Sequence, residues 1–144
     1  MTTVSEIRDW HTAIRSVPTD KDFSVQLGCH IEEFVEMLNT LEVGVLNASV
    51  MHLCWRLNDL ATQFKQGFPV KPANRIEFLD SLADQIVTAV GAGHCARMDI
   101  AEAVYRVNES NWSKFDDDGL PNRDANGKII KGPNYRPPVL DDLC

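Results

Sequence analysis

Proline restricts this fold most through where it is missing. Before about residue 115 it occurs only at Pro18, Pro69 and Pro72. Beyond that point the chain reads DDDGLPNRDANGKIIKGPNYRPPVLDDLC, dense in Pro, Gly, Asn and Asp. Proline removes a helical hydrogen bond and clashes with the preceding turn, so only the first part can hold long helices. The pattern predicts a helical body over 1–115 and a turn-rich tail over 116–144. The tail is expected to pack on the same domain or on a partner subunit.

Apolar residues in the body recur at helical spacing and predict five helices. The first runs from about Thr3 to Ser16 on Val4, Ile7, Trp10 and Ile14, until Val17-Pro18-Thr19-Asp20 breaks it. The second starts near Asp20 and carries Phe23, Leu27, Ile31, Phe34, Val35, Leu38 and Leu41. The third starts near Asn47, carries Val50, Leu53, Cys54, Leu57, Leu60 and Phe64, and ends before Gly67, Pro69 and Pro72. The fourth starts near Asn74, with Ile76, Leu79, Ala83, Ile86 and Val90 as its inner stripe. The fifth spans about Asp99 to Phe115, with Asp99 as N-cap and Ile100, Ala103, Val104 and Val107 inside. Strand-like alternation is nearly absent until Lys128-Ile129-Ile130, after a turn signal at Asp124-Ala125-Asn126-Gly127. The fold class is all-α: an antiparallel four- to five-helix bundle with a non-helical C-terminal tail, because short connections force neighbouring helices to run opposite ways.

With 144 residues the chain suits one globular domain, and a net charge of -7 argues against binding the phosphates of nucleic acids without regard to sequence. No apolar run reaches the roughly 20 residues of a membrane span. MTTVSEIRDW lacks the basic-then-apolar pattern of a secretory signal, so a cytoplasmic location is expected. Cys29, Cys54, Cys95 and Cys144 are far apart, without CxxC or CxxH spacing, and read as reduced, mostly buried thiols rather than a zinc site.

Two helices carry acids at helical spacing. Glu32, Glu33 and Glu36 fall within an arc of roughly 100°, and Glu77, Asp80 and Asp84 within roughly 60°. Packed side by side, such helices face six carboxylates towards one another, which repel unless cations sit between them. Oxygen-only ligands favour Mg²⁺ or Mn²⁺. A di-iron centre needs Glu-x-x-His on two helices, and none of His11, His30, His52 or His94 follows a Glu at that spacing. The competing account is that both arcs are solvated faces. Glu33 and Glu36 lie away from the apolar stripe of their helix, whereas Phe78 and Leu82 flank the acids of the fourth on the side opposite its stripe.

Glu32-Glu33-Phe34-Val35-Glu36 resembles the EExxE motif of the all-α, MazG-type nucleoside triphosphate pyrophosphohydrolases, and Glu77-Phe78-Leu79-Asp80 resembles their ExxD. Within that superfamily the chain more closely resembles the phosphoribosyl-ATP pyrophosphohydrolase-like branch found in many phages and bacteria. That branch has ExxDALAD, an apolar run and a Gly, where this chain has Glu77 to Asp84, then Gln85 to Gly91. Its SNxSK, DG turn and GKxxKGPNYxPP resemble Ser110 to Lys114, Asp118-Gly119 and Gly127 to Pro138. In a second register the ExxD falls on Ser81-x-x-Asp84 and lacks its first acid, so Glu77, Asp80 and Asp84 all remain candidates. Gln85 stands where an apolar residue is usual.

The resemblance implies hydrolysis of a (deoxy)nucleoside triphosphate between its α and β phosphorus atoms, for nucleotide-pool control or house-cleaning, in a homodimer or homotetramer. It implies Mg²⁺, or Mn²⁺, on Glu33, Glu36, Asp80 and Asp84, with Glu77 as an alternative or additional ligand. Glu32 is then the residue that orients or deprotonates water. Asn111 and Lys114 resemble phosphate contacts, and Lys131 and Tyr135 belong to a basic, aromatic tail with Lys128, Asn134 and Arg136. Lys114 equally suits compensation of a helix dipole, and the tail equally suits packing. Trp10, His11 and Trp55 could stack on a base or belong to a core or interface. The second function class is a catalytically silent helical bundle that works by interaction.

Overall fold

Residues 3–124 and 129–144 are described by the structure, a computed structural model. The architecture is all-α, with five α-helices among the described residues: α1 (Thr3–Ile14), α2 (Asp20–Asn39), α3 (Asn47–Lys65), α4 (Arg75–Cys95) and α5 (Ile100–Trp112). None is long and apolar enough to cross a membrane. They fall into two compact units, Pro18–Asn74 and Met1–Val17 with Arg75–Cys144.

The first unit is a hairpin of α2 and α3. Thr19 starts α2 with a capping box: its hydroxyl accepts from the Asp22 backbone N–H at 3.2 Å, and the Asp22 carboxylate accepts from the Thr19 N–H at 2.8 Å. A 3-10 turn over Gly44–Leu46 leads into α3. The start of α2 meets the end of α3, so the pair is antiparallel. The Ser24 hydroxyl, wholly buried, donates to the Phe68 carbonyl at 2.7 Å. One turn on, a methyl group at Gly28 would sit 2.7 Å from the Ala61 carbonyl oxygen and 2.7 Å from Lys65 Cγ. Glycine here is what lets the two backbones approach. Val35, Cys54 and Ala61 are buried in this unit.

In the second unit α1 and α4 both pack on α5. Asp99 caps α5 by accepting from the Glu102 N–H at 3.0 Å, as its sequence position indicates. The tail then runs back along α5. The Arg136 N–H donates to Ser113 Oγ at 2.8 Å. Arg106 donates to the Val139 carbonyl at 2.9 Å and to Asp142 at 2.6 and 3.0 Å, and the Asp99 N–H donates to the Leu143 carbonyl at 3.0 Å. Arg123 reaches the end of α1, donating to the Ile14 carbonyl at 2.7 Å. A short 3-10 turn, Asp141–Leu143, ends the chain.

Five expectations need correction. The first helix stops at Ile14 rather than near Ser16, and the fifth at Trp112 rather than Phe115, where the chain turns into the tail. Leu41 lies beyond α2, which ends at Asn39. Burial of most thiols fails: Cys54 is buried and Cys29 half-buried, but Cys95 and Cys144 are exposed. The inner stripe expected on the fourth helix faces solvent, and no residue of α4 is buried. Around Ile129 the described residues form only isolated bridges, Phe115 with Pro121 and Arg123 with Ile129. Lys128 and the turn at Ala125–Gly127 lie outside the described residues.

Candidate functional site

The acidic motif of α2 follows from the burial of one residue. Val35, 2% exposed, faces the hairpin interior. Helical rotation then carries Glu33 and Glu36 outward, and both are exposed. Glu32 falls at the flank of the α3-facing side. Both of its oxygens accept from Lys65 Nζ, at 2.9 and 2.7 Å. The hydrogen bond it donates to Glu32 holds the Lys65 ammonium above its ordinary value, while some loss of hydration opposes it. Lys65 is the last residue of α3, where a cation also meets the negative end of the helix dipole. Motif reading missed Lys65. The signal was the antiparallel pairing itself, which sets the end of one helix beside the middle of the other.

On α4 the acids form a separate exposed arc. Phe78, Leu82 and Gly93 are half-buried and mark the side turned to α5. A Cβ at Gly93 would lie 2.8 Å from Ile100 Cβ, so this is where the two helices close on each other. Glu77, Asp80 and Asp84 lie on the other side and are exposed, as is Ser81. Both ExxD registers therefore remain compatible with the helix. The Thr88 hydroxyl donates to the Asp84 carbonyl at 2.9 Å and leaves the Asp84 carboxylate alone.

Glu32, Glu33 and Glu36 belong to the Pro18–Asn74 unit, and Glu77, Asp80 and Asp84 to the other. Within each unit, no three His, Cys, Asp or Glu side chains among the described residues gather closely enough to hold a metal ion.

The remaining candidates meet where α5 passes into the tail. Lys114 Nζ donates to Asn111 Oδ1 at 2.8 Å and lies 5.9 Å from the centre of the Trp10 ring. The Lys131 ammonium sits 4.6 Å from the centre of the Tyr135 ring. Two asparagines of the tail bond back to the segment that follows α5. Asn122 Nδ2 donates to the Lys114 carbonyl at 2.9 Å, and Asn134 Nδ2 to Asp117 at 2.8 Å. Between α5 and the tail lies an open groove of about 620 Å³ walled by Trp112, Phe115, Asn134, Tyr135 and Arg136.

The aromatic candidates divide. Trp10 buries its indole N–H, which has no hydrogen-bond partner among the described residues. His11 meets it edge-on at 4.9 Å, and loss of hydration pushes the His11 imidazole below its ordinary value. Trp55 on α3 is instead largely exposed, 6.3 Å from His52.

No known family model, curated protein or solved structure matches this chain.

Proposed function

We propose that the chain is a divalent-metal-dependent nucleoside triphosphate pyrophosphohydrolase of the MazG-like, all-α kind. It converts a (deoxy)nucleoside triphosphate to the monophosphate and pyrophosphate, for control or cleaning of a cytoplasmic nucleotide pool. One observation supports it above the others. Glu33 with Glu36, and Asp80 with Asp84, stand a helical turn apart on exposed faces. Among the described residues, none of these four carboxylates accepts a hydrogen bond or forms an ion pair.

A donor set made only of carboxylate oxygens fits Mg²⁺ or Mn²⁺. Glu33, Glu36, Asp80 and Asp84 are the residues to hold it, with Glu77 as an alternative or additional ligand. A bound divalent ion supplies charge neutralisation for the triphosphate and a more acidic water. Glu32 accepts the proton of the attacking water or orients that water, and Lys65 fixes the direction of its carboxylate. Lys114 and Lys131 offer ammonium groups to the departing pyrophosphate. Doing so costs Lys114 its bond to Asn111 and Lys131 its contact with the Tyr135 ring. Asn111 and Tyr135 then hydrogen-bond to the same substrate.

Pyrophosphate release from a panel of ribo- and deoxynucleoside triphosphates, with and without Mg²⁺, tests this proposal. Release that needs the ion and is lost in Glu36→Gln and Asp84→Asn supports it. The second reading is a catalytically silent helical bundle, in which the exposed acids of both helices serve only as solvated faces. It predicts no release for any nucleotide and no thermal shift with Mn²⁺.

A further inference from the structure

Lys114 and Lys131 come from separate segments, the one just after α5 and the other in the tail. Two lysines act on one anion only if their backbones keep a fixed spacing, because each four-carbon stem is flexible. Asn122 supplies that spacing. Only the amino end of an amide can meet a carbonyl oxygen, and Asn122 Nδ2 donates to the Lys114 carbonyl at 2.9 Å. The Asn122 backbone N–H approaches the same oxygen at 3.4 Å. On its other side, the Asn122 carbonyl accepts from the Ile130 N–H at 2.9 Å, beside the bridge of Arg123 with Ile129. One half-buried residue thus joins the backbone of Lys114 to that of the residue before Lys131.

The residue after Lys131 closes the joint. A Cβ at Gly132 would run into Asn122 Nδ2 and lie 2.6 Å from Asn122 Cγ. Gly132 is not among the glycines with positive φ, so glycine is needed here for space and not for conformation. The amide cannot swing aside cheaply, because that breaks its bond to the Lys114 carbonyl. Lys131 is therefore flanked by two residues that both rest on Asn122. All of them belong to the same compact unit.

We infer that Asn122 is a positioning residue that sets the spacing of Lys114 and Lys131, so that both ammonium groups engage one polyphosphate chain. Asn122 acts through the two lysines and touches no substrate. That the lysines hold phosphate rests on the nucleotide reading; that Asn122 joins them rests on the bonds above. Two cations at a fixed spacing favour an anion with several linked phosphoryl groups, since the second contact becomes intramolecular once the first is made. A single phosphate gains nothing from the joint.

Titration calorimetry of the full chain with inorganic tripolyphosphate and Mg²⁺, beside orthophosphate, tests it. Asn122→Ala is expected to weaken tripolyphosphate binding by about 10-fold or more, the worth of one charged hydrogen bond, and to leave orthophosphate binding nearly unchanged. Lys131→Met is expected to cost about as much in the wild type, but little further in Asn122→Ala, where the lysine has already lost its place. Gly132→Ala, which keeps Asn122 in the chain, is expected to reproduce the loss by displacing the amide. All variants are compared at the helical circular dichroism of the wild type. A wild type that does not bind tripolyphosphate overturns the inference, as does an equal cost of Lys131→Met in both backgrounds or an equal weakening of both anions. The nucleotide reading fails separately. A wild type that binds tripolyphosphate but hydrolyses no nucleoside triphosphate removes that reading and leaves the joint. Hydrolysis with unchanged kcat/KM in Asn122→Ala removes the joint and leaves the reading.

Discussion

Glu32 and Lys65, thirty-three residues apart in sequence, form an ion pair in which both carboxylate oxygens meet one ammonium. Each side chain is about two-fifths exposed, so the pair adds little to stability, on the order of 0–1 kcal/mol. Its consequence is positional. Glu32→Gln is expected to lower kcat for pyrophosphate release by about 10²–10⁴-fold, the usual worth of a general base, with little change in melting temperature. Lys65→Met is expected to lower kcat while leaving KM nearly unchanged. A fall in KM-dependent binding alone would mean that Lys65 touches substrate instead. For stability the sign is fixed by the raised Lys65 value. The pair contributes below the ordinary lysine value and loses its contribution as pH rises through the raised one.

Gly28→Ala sets two effects against each other. In an exposed helix the change gains up to about 1 kcal/mol. Here the new methyl meets the Ala61 carbonyl at 2.7 Å and the Lys65 backbone nitrogen at 3.0 Å, and backbone cannot step aside cheaply. Overpacking of this kind costs about 1–3 kcal/mol. The net expectation is a melting temperature lower by several degrees, measured by circular dichroism. An increase would show that α2 and α3 are not in close contact there.

The ends of α3 and α4 use the same termination with different residues. After α3, the Gly67 N–H donates to Phe64 and the Phe68 N–H to Gln63; after α4, Arg97 donates to His94 and Met98 to Gly93. Gly67 sits at φ 86° and Arg97 at φ 63°. A side chain in that left-handed region costs about 1–2 kcal/mol. Arg97→Gly is therefore expected to raise the melting temperature by a few degrees, against the usual entropic penalty of glycine. Thermal unfolding of the variant checks it, and a drop would contradict the Arg97 conformation.

The tail clasp is expected to be acid-sensitive. The hydrogen bond from Arg106 holds the Asp142 carboxyl below its ordinary value of 3.8. A group whose value is lowered on folding contributes above its unfolded value and loses that contribution as pH falls through the folded one. Tail amides near Val139 and Leu143 should keep their exchange protection at neutral pH and lose it below about pH 3.8. Asp142→Asn should remove that dependence. Protection that is already absent at neutral pH would deny the clasp.

Much of the fold was legible because its signals are local. Proline spacing and 3.6-residue periodicity place every helix, and Asp99 announces the start of α5. What escaped was tertiary. Periodicity says that Ile86 and Val87 share an apolar face, but not that this face stays exposed. The acids were legible as two arcs, since helical rotation around Val35 and around Phe78 follows from sequence alone. Lys65 was not, because only the pairing of α2 with α3 brings it to Glu32. Lys114 and Lys131 carry no sign in sequence that their ammonium groups rest on Asn111 and the Tyr135 ring.

The most direct measurement is metal-dependent pyrophosphate release by the wild type beside Glu36→Gln and Asp84→Asn, on proteins of equal helical content. The account predicts release that requires Mg²⁺ or Mn²⁺ and falls by at least about 10²-fold in each variant. Full activity in both variants, or no hydrolysis of any nucleoside triphosphate with either ion, would contradict it.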